Sequence, residues 1–367
     1  MERTSRRPDA DSTAAEDAIR FAVEAAVWAP SVHNTQPWWF GSVGEERVST
    51  AGWLMSRRIS LHADVDRRLD VADPDGREML LSCGAALFTL RVAIRDLGHD
   101  PEVTMLPDAD RPSLLADVRF GRQVPPSEEN TRLYRQIRRR RTHRGAFRPD
   151  PVSTSLLATL RREAQQEGAE LRIIVDDRAR AALGALTEAA EHVQRGTPAY
   201  VTEAARWAPR PGTVRPDGVH ESAYPRTPDR TDPYFPMRDF SRGQGWGADH
   251  LDAPAAPEPP AAASGLVTGV VALLTTPDDR RTDWLRAGQA LQRMLLRATA
   301  EDVSAAFHTQ ALEVPELRAF ISGRFCGGAH PQMLLRLGRG LMAPDHPEAG
   351  ASGGFRRPVT EVVTTDS

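Results

Sequence analysis

The sequence predicts an α+β protein, and three observations support this. Two long apolar helices stand out, from Gly76 to Leu97 and from Trp284 to Glu301. Short apolar runs that read as strands lie on either side of each. A faint internal repeat relates the two helices, with Cys83-Gly84-Ala85-Ala86-Leu87 aligning with Ala287-Gly288-Gln289-Ala290-Leu291. Small residues there would let helices pack closely, but by periodicity alone the likeness reads equally as duplication or coincidence. The 367 residues hold two domains of ordinary size or one large core.

In chain order, the polar start leads into a helix from Ala14 to Trp28, with Ile19, Val23, Ala26 and Val27 on one face. Trp39 to Gly41 and Ile59 to Ala63 read as strands. The helix from Gly76 runs through Leu80, Leu81, Ala85, Leu87, Leu90 and Ile94 and is closed by Gly98. Val103 to Leu106 and Leu115 to Phe120 are two further strands. Leu133 to Arg141 begins a second unit, followed by a helix at Ser155–Gln166, a strand at Leu171–Val175 and a helix at Ala179–Gln194. Leu266 to Thr275 is a β-branched strand, and Gln332 to Gly338 is the last clear one.

Between Gly196 and Ser264 Pro, Arg, Asp and Gly dominate. A connection this long without regular structure is a lid, a binding loop or a linker. Trp207, Tyr224, Tyr234, Phe235, Phe240 and Trp246 argue against a purely solvated linker, and Arg238-Asp239 could pin the segment by an ion pair.

Composition narrows the function classes. Apolar content of 40% and charged content of 26% are those of a soluble globular protein. A net charge of −3 gives no bulk attraction to nucleic acid. No apolar run approaches the roughly 20 residues of a membrane span, and Met1 to Asp17 has no apolar signal core, so a cytoplasmic protein is expected. All 47 basic residues are Arg, which excludes a Walker A lysine and a Schiff-base lysine. Any anion must then be held by guanidinium forks or backbone N–H groups. Cys83 and Cys326 are far apart, lack metal-ligand spacing and read as reduced, buried thiols.

Two segments could carry chemistry. Ala29 to Phe40 packs Pro30-Ser31, Asn34, Gln36-Pro37 and Trp38-Trp39 into one loop. It reads either as a packed surface turn or as the wall of a site for a planar polar ring. Arg138 to Arg144 holds five Arg, with Thr142 and His143 among them, and reads as a solvated helix end or as a phosphate clamp. His62-x-Asp64-x-Asp66 shares one strand face, but no second cluster supports a metal. No Ser-His-Asp order or carboxylate pair marks a catalytic residue.

The loop resembles the Pro-Ser-x-x-Asn-x-Gln-Pro-Trp-x-Phe element of FMN-dependent nitroreductases, and the resemblance extends along nearly the whole chain. It takes in Asp66-Arg67, Gly76-Arg77-Glu78, Arg140 to Arg144, Arg238-Asp239-Phe240, Trp284 to Leu291, Pro331 to Arg336 and Arg356 to Val359. The chain is most similar to the double-length, single-chain Acg-like branch. The resemblance implies two nitroreductase-like halves fused as an intrachain pseudo-dimer, each a mostly antiparallel sheet with packed helices. The implied division is 1–125 and 126–367, with a lid-like insertion at about 196–264.

It also implies an FMN site. Pro30, Ser31, Val32 and Asn34 would meet the ring side, and Arg140, Arg141, Thr142 and Arg144 would grip the phosphate. Leu312 and Glu313 lie in the loop whose backbone would face the reactive ring edge. Arg356, with Arg357 second, would reach the phosphate from the tail. The first half keeps the loop without the clamp and the second keeps the clamp without the loop, so one site per chain is implied. The lysine that family members often place near the flavin is missing, so an Arg or a backbone dipole must take its role. The implied activity is NAD(P)H-dependent reduction of a small nitroaromatic or quinone-like acceptor by a monomer that mimics a homodimer. The alternative is a flavin-sequestering protein with little turnover.

Overall fold

The computed structural model describes residues 10–49, 52–210, 212–220, 223, 231–238, 240, 267–340 and 355–365. The first part of the chain runs α1 (Ala10–Ala26), β1 (Trp38–Ser49), β2 (Gly52–Ala63), α2 (Arg77–Asp96), β3 (His99–Met105) and β4 (Leu114–Gln123). The second part runs α3 (Glu128–Gln136), α4 (Thr154–Gln166), β5 (Glu170–Ile173), α5 (Asp177–Gly196), α6 (Pro198–Arg206), β6 (Val270–Thr276), α7 (Arg281–Thr299), β7 (Ser304–Phe307), α8 (Gln310–Glu313), α9 (Pro315–Phe325), β8 (His330–Gly338) and β9 (Val363–Thr365).

Two sheets result, giving the mixed α+β architecture expected. One has the order β3-β4-β2-β1-β9 and the other β5-β6-β8-β7. Read from its far edge, the second is β7-β8-β6-β5, which repeats the order of the first. Among the strands named here, pairing is antiparallel except for β9, which lies parallel to β1 with Phe40 opposite Val363. The end of the chain therefore completes the sheet at its beginning.

Helices α2 and α7 pack face to face between the sheets, and their glycines explain how. A Cβ on Gly84 would be driven into the carbonyl of Leu285 and would stand 3.1 Å from Gly288 Cα. A Cβ on Gly288 would strike the carbonyl of Leu81 and stand 2.9 Å from Gly84 Cα. The contact is reciprocal, Leu81 and Gly84 facing Gly288 and Leu285. The faint repeat in the sequence is thus the crossing point of the two helices. Thr89 and Gln292 close the buried interface by a 2.9 Å hydrogen bond.

Local signals set several boundaries. Ser127, Ser153 and Asp176 cap α3, α4 and α5 by accepting from the backbone N–H three residues on. Helix α2 has no such side-chain cap; instead Asp73 Oδ2 accepts from Met79 N at 2.8 Å.

The structure departs from the sequence reading in places. Residues 198–206 form a helix inside the segment expected to lack one, because Pro198 occupies the first turn, where a missing N–H costs nothing. The strand β7 is four residues long and β9 three, too short for a period-2 pattern to register. Tyr224, Asp239, Trp246 and the stretch 241–266 of the Pro-rich segment lie outside the described residues.

Candidate functional site

The loop after α1 is held in an unusual backbone path. His33, Asn34 and Gln36 have φ of 46°, 54° and 50°, a left-handed region that side chains other than glycine seldom enter. Such strain persists only where the surroundings enforce it. Here Ser31 Oγ accepts from Gln36 N at 3.0 Å, and Val32 N donates to Ser82 Oγ of α2 at 3.1 Å.

This loop forms one wall of a cavity of about 940 Å³, open solvent at its mouth included. Pro30, Ser31, Val32 and His33 come from the loop, and Glu78, Leu81, Ser82 and Ala85 from α2. Thr142, His143 and Arg144 face them from the second part of the chain, with Leu291 of α7, the 306–309 strand end, and Met333 and Arg336 of β8. Val219, Met237, Arg238 and Phe240 of the Pro-rich segment complete the lining. Both parts of the chain and this Pro-rich segment, called the cover below for its place over the cavity, therefore line the same cavity. Its concave form and its apolar lining with a few convergent polar groups are those of a small-molecule or cofactor site.

Beside the cavity four guanidiniums crowd together. Arg140 is 4% exposed, and its Nε and Nη1 are buried with no hydrogen-bond partner among the described residues. Burial, then the charges of Arg356, Arg141 and Arg144, push its pKa down to about 9. Arg356 is pushed down to about 10 by burial and Arg141, and its Nε is likewise unpartnered. A buried cation without compensation is costly, so this cluster is built for an anion. Trp28, in the turn after α1, holds the cluster in place, with Arg138, Arg141 and Arg356 lying 5.2, 5.7 and 5.5 Å from its ring centre. Thr142 is tied to β7 by a bridge to Ala305.

The remaining residues singled out in the sequence take other positions. Asn34 does not line the cavity; its Oδ1 accepts from Arg356 at 2.9 Å and its Nδ2 donates to Gly218 O at 3.0 Å. It thus links the loop, the tail and the cover. Arg141 is exposed and donates to the carbonyls of Arg138 and Arg140. Arg357 is buried away from the cavity, where its N–H groups meet the carbonyls of Gln36, Trp38 and Glu361 and the carboxylate of Asp64. Leu312 is core, and Glu313 lies behind the lining, paired with Arg238. His62 stacks on Trp39 at 3.6 Å, and among the described residues no group of three His, Cys, Asp or Glu is placed to hold a metal.

The cover is anchored to both parts of the chain. Asp217 pairs with Arg67 at 2.8 Å and Pro216 O accepts from Gln36 Nε2 at 2.7 Å. At the other end, Arg238 binds the Glu313 carboxylate and the Tyr200 hydroxyl. Its ion-pair partner is Glu313; the neighbouring Asp239 lies outside the described residues.

Two charged residues of the wall lie in stretches that carry the family resemblance but had no site role in the sequence reading. Arg336 is 3% exposed, and its hydrogen-bond partners are His308 Nε2 at 2.8 Å and the carbonyls of Thr268 and Gly145, all neutral. His308 donates from Nδ1 to Pro236 O, which fixes it as the neutral tautomer and ties the cover to β8. Glu78 is buried 3.0 Å from Arg77. Burial and the Glu313 carboxylate raise its pKa to about 8 against the pull of that Arg. The available signal was a charge within an apolar run, Met333-Leu334-Leu335-Arg336 and Glu78-Met79-Leu80-Leu81.

No family model matches the chain. It is 33% identical over 333 residues to a Mycobacterium tuberculosis protein named "Putative NAD(P)H nitroreductase Rv3131", covering 90% of this chain and 86% of that one. It is 28% identical to the same organism's "Putative NAD(P)H nitroreductase acg", covering 96% and 97% of the two chains. Among solved structures, the FMN-dependent nitroreductase NfnB of Mycobacterium smegmatis in complex with NADPH aligns at 16% identity and a TM-score of 0.34. That alignment covers 65% of this chain and 100% of that one.

Proposed function

Because this chain belongs to the nitroreductase family, we propose that it is an FMN-dependent NAD(P)H oxidoreductase with one flavin per chain, acting on nitroaromatic or quinone-like acceptors. The observation that carries the reading is the set of crowded guanidiniums with orphaned N–H groups at Arg140 and Arg356, beside a cavity built by both parts of the chain. A phosphate monoester supplies the missing charge and acceptors there. Arg140, Arg144 and Arg356 would hold it, with the Thr142 hydroxyl. Pro30, Ser31 and Val32 would wall the ring, while Asn34 acts through Arg356 and Glu313 through Arg238. When bound, FMN supplies the electron chemistry, taking two electrons from reduced nicotinamide and passing them to the acceptor.

The chain's own residues supply the field and the enclosure. Arg336 keeps positive charge on the wall without a carboxylate among its hydrogen-bond partners, which favours negative charge developing in the cavity. That is the role a lysine would fill in relatives that have one. The cover excludes water and large acceptors. We further propose that the halves divide near residue 125 and act together as a pseudo-dimeric monomer.

The cover also favours a second reading. Its anchors on both sides, Asp217 to Arg67 and Arg238 to Glu313, suit a protein that stores flavin and turns over slowly. Purified protein reconstituted with FMN should retain flavin absorbance through gel filtration and oxidise NADH or NADPH when a nitroaromatic or quinone is added. Retained flavin without acceptor-dependent oxidation selects storage, and no retained flavin removes both readings.

A further inference from the structure

We propose that His33 grips the electron acceptor, its imidazole donating an N–H hydrogen bond to an oxygen of a planar aromatic molecule held against the cover. The assignment rests on flavin occupying the cavity and specifies what reads the acceptor beside it. His33 is 8% exposed and lines the cavity, and among the described residues neither Nδ1 nor Nε2 has a hydrogen-bond partner. A buried imidazole with both nitrogens unsatisfied is costly, and its backbone is strained as well, at φ 46° and ψ 21°. Those costs are met when a ligand accepts from the ring.

The position suits an aromatic acceptor lying against the cover. The His33 ring meets Phe240 of the cover edge-on, with ring centres 4.7 Å apart. Phe240 in turn belongs to an apolar cluster with Trp207 and Val219. His33 thus sits where the loop and the cover meet, with an aromatic side chain beside it. Burial, then the charges of Arg238 and Arg144, hold its pKa well below the usual histidine value. It stays neutral at pH 7 and offers one N–H and one lone pair, as a carbonyl, quinone or nitro oxygen requires of a donor. No proton is transferred in this role; the hydrogen bond orients the acceptor and polarises its oxygen.

The test uses the FMN-loaded full chain and two ligands of similar shape, acetophenone and ethylbenzene, of which only the first carries an oxygen. Binding is read from the flavin absorption spectrum. In wild type, acetophenone should bind more tightly than ethylbenzene, and with ¹⁵N-labelled histidine one ring nitrogen of His33 should shift with acetophenone only. His33→Phe should weaken acetophenone about tenfold, the loss of one buried hydrogen bond. Its affinities for ethylbenzene and FMN should be unchanged. His33→Asn keeps a donor in a side chain that suits a positive φ and should restore part of the loss. Unchanged acetophenone affinity in His33→Phe, or an equal loss of FMN, overturns the assignment while leaving the flavin site standing. Failure of wild type to bind FMN overturns both. Should His33→Phe not fold, the labelled wild-type protein decides, and an unmoved His33 signal overturns the proposal.

Discussion

Replacing Gly288 by Ala is expected to lower the stability of the chain by about 2 kcal/mol or more, although Ala is the better helix former. Propensity alone would favour the substitution by roughly 1 kcal/mol. Against this, the added methyl would run into the backbone of α2, where the Leu81 carbonyl and Gly84 Cα leave no room. Backbone cannot rotate aside as a side chain can, so the helices must separate, and overpacking of this kind typically costs 1–3 kcal/mol and sometimes more. Separation would also loosen the cavity wall, because Leu81 and Leu291 line it from opposite helices. Thermal unfolding should show a fall in Tm of several degrees. Gly323 on α9 provides the control. A Cβ there meets nothing within 4 Å, so Gly323→Ala should hold or raise Tm. Equal effects at the two positions would mean that the helix crossing does not determine stability.

Replacing Arg140 by Met is expected to weaken FMN by about 1.5–3 kcal/mol, roughly ten- to 150-fold, as for a lost charge-assisted hydrogen bond. Riboflavin, which lacks the phosphate, should bind as before. The stability of the unliganded protein should move the other way or stay level. Arg140 is buried among Arg141, Arg144 and Arg356 with Nε and Nη1 unpartnered among the described residues, so Met removes an uncompensated charge while filling much of the same volume. Affinity and stability parting in this way is the signature of a residue kept for a ligand. Calorimetric titration with both flavins, with thermal unfolding of the apo-protein, reads both effects. Loss of riboflavin binding, or collapse of the apo-protein, would make Arg140 structural.

The long elements were legible because burial repeats along them. Helices α2 and α7 carry apolar residues through four or more turns, and each needs a glycine where the other crosses. Proline at 198 reads as a breaker only until its place in the first turn is known. The strand β9 pairs with a strand more than 300 residues earlier, which no local pattern encodes. In the site, the loop at Pro30–Asn34 and the Arg run at 138–144 were visible as motifs. The division of labour within them was not: Asn34 serves as a bracket for Arg356, and Leu312 and Glu313 stand behind the lining rather than in it. Arg336 and Glu78 acquire meaning only from what packs around them.

The central claim is one flavin site per chain. It rests on complementary halves, and the structure bears on what fills the counterpart position. The end of α4, which precedes β5 as α1 and its loop precede β1, is closed by ion pairs. Glu163 binds Arg293 and Arg297, while Glu167 meets Arg91 at 2.7 Å and Arg293 at 3.1 Å. Titration of the apo-protein with FMN, followed by quenching of flavin fluorescence and checked by the mass of the native complex, tests the claim most directly. Saturation at one equivalent per chain is the expected result. Two equivalent tight sites would contradict it.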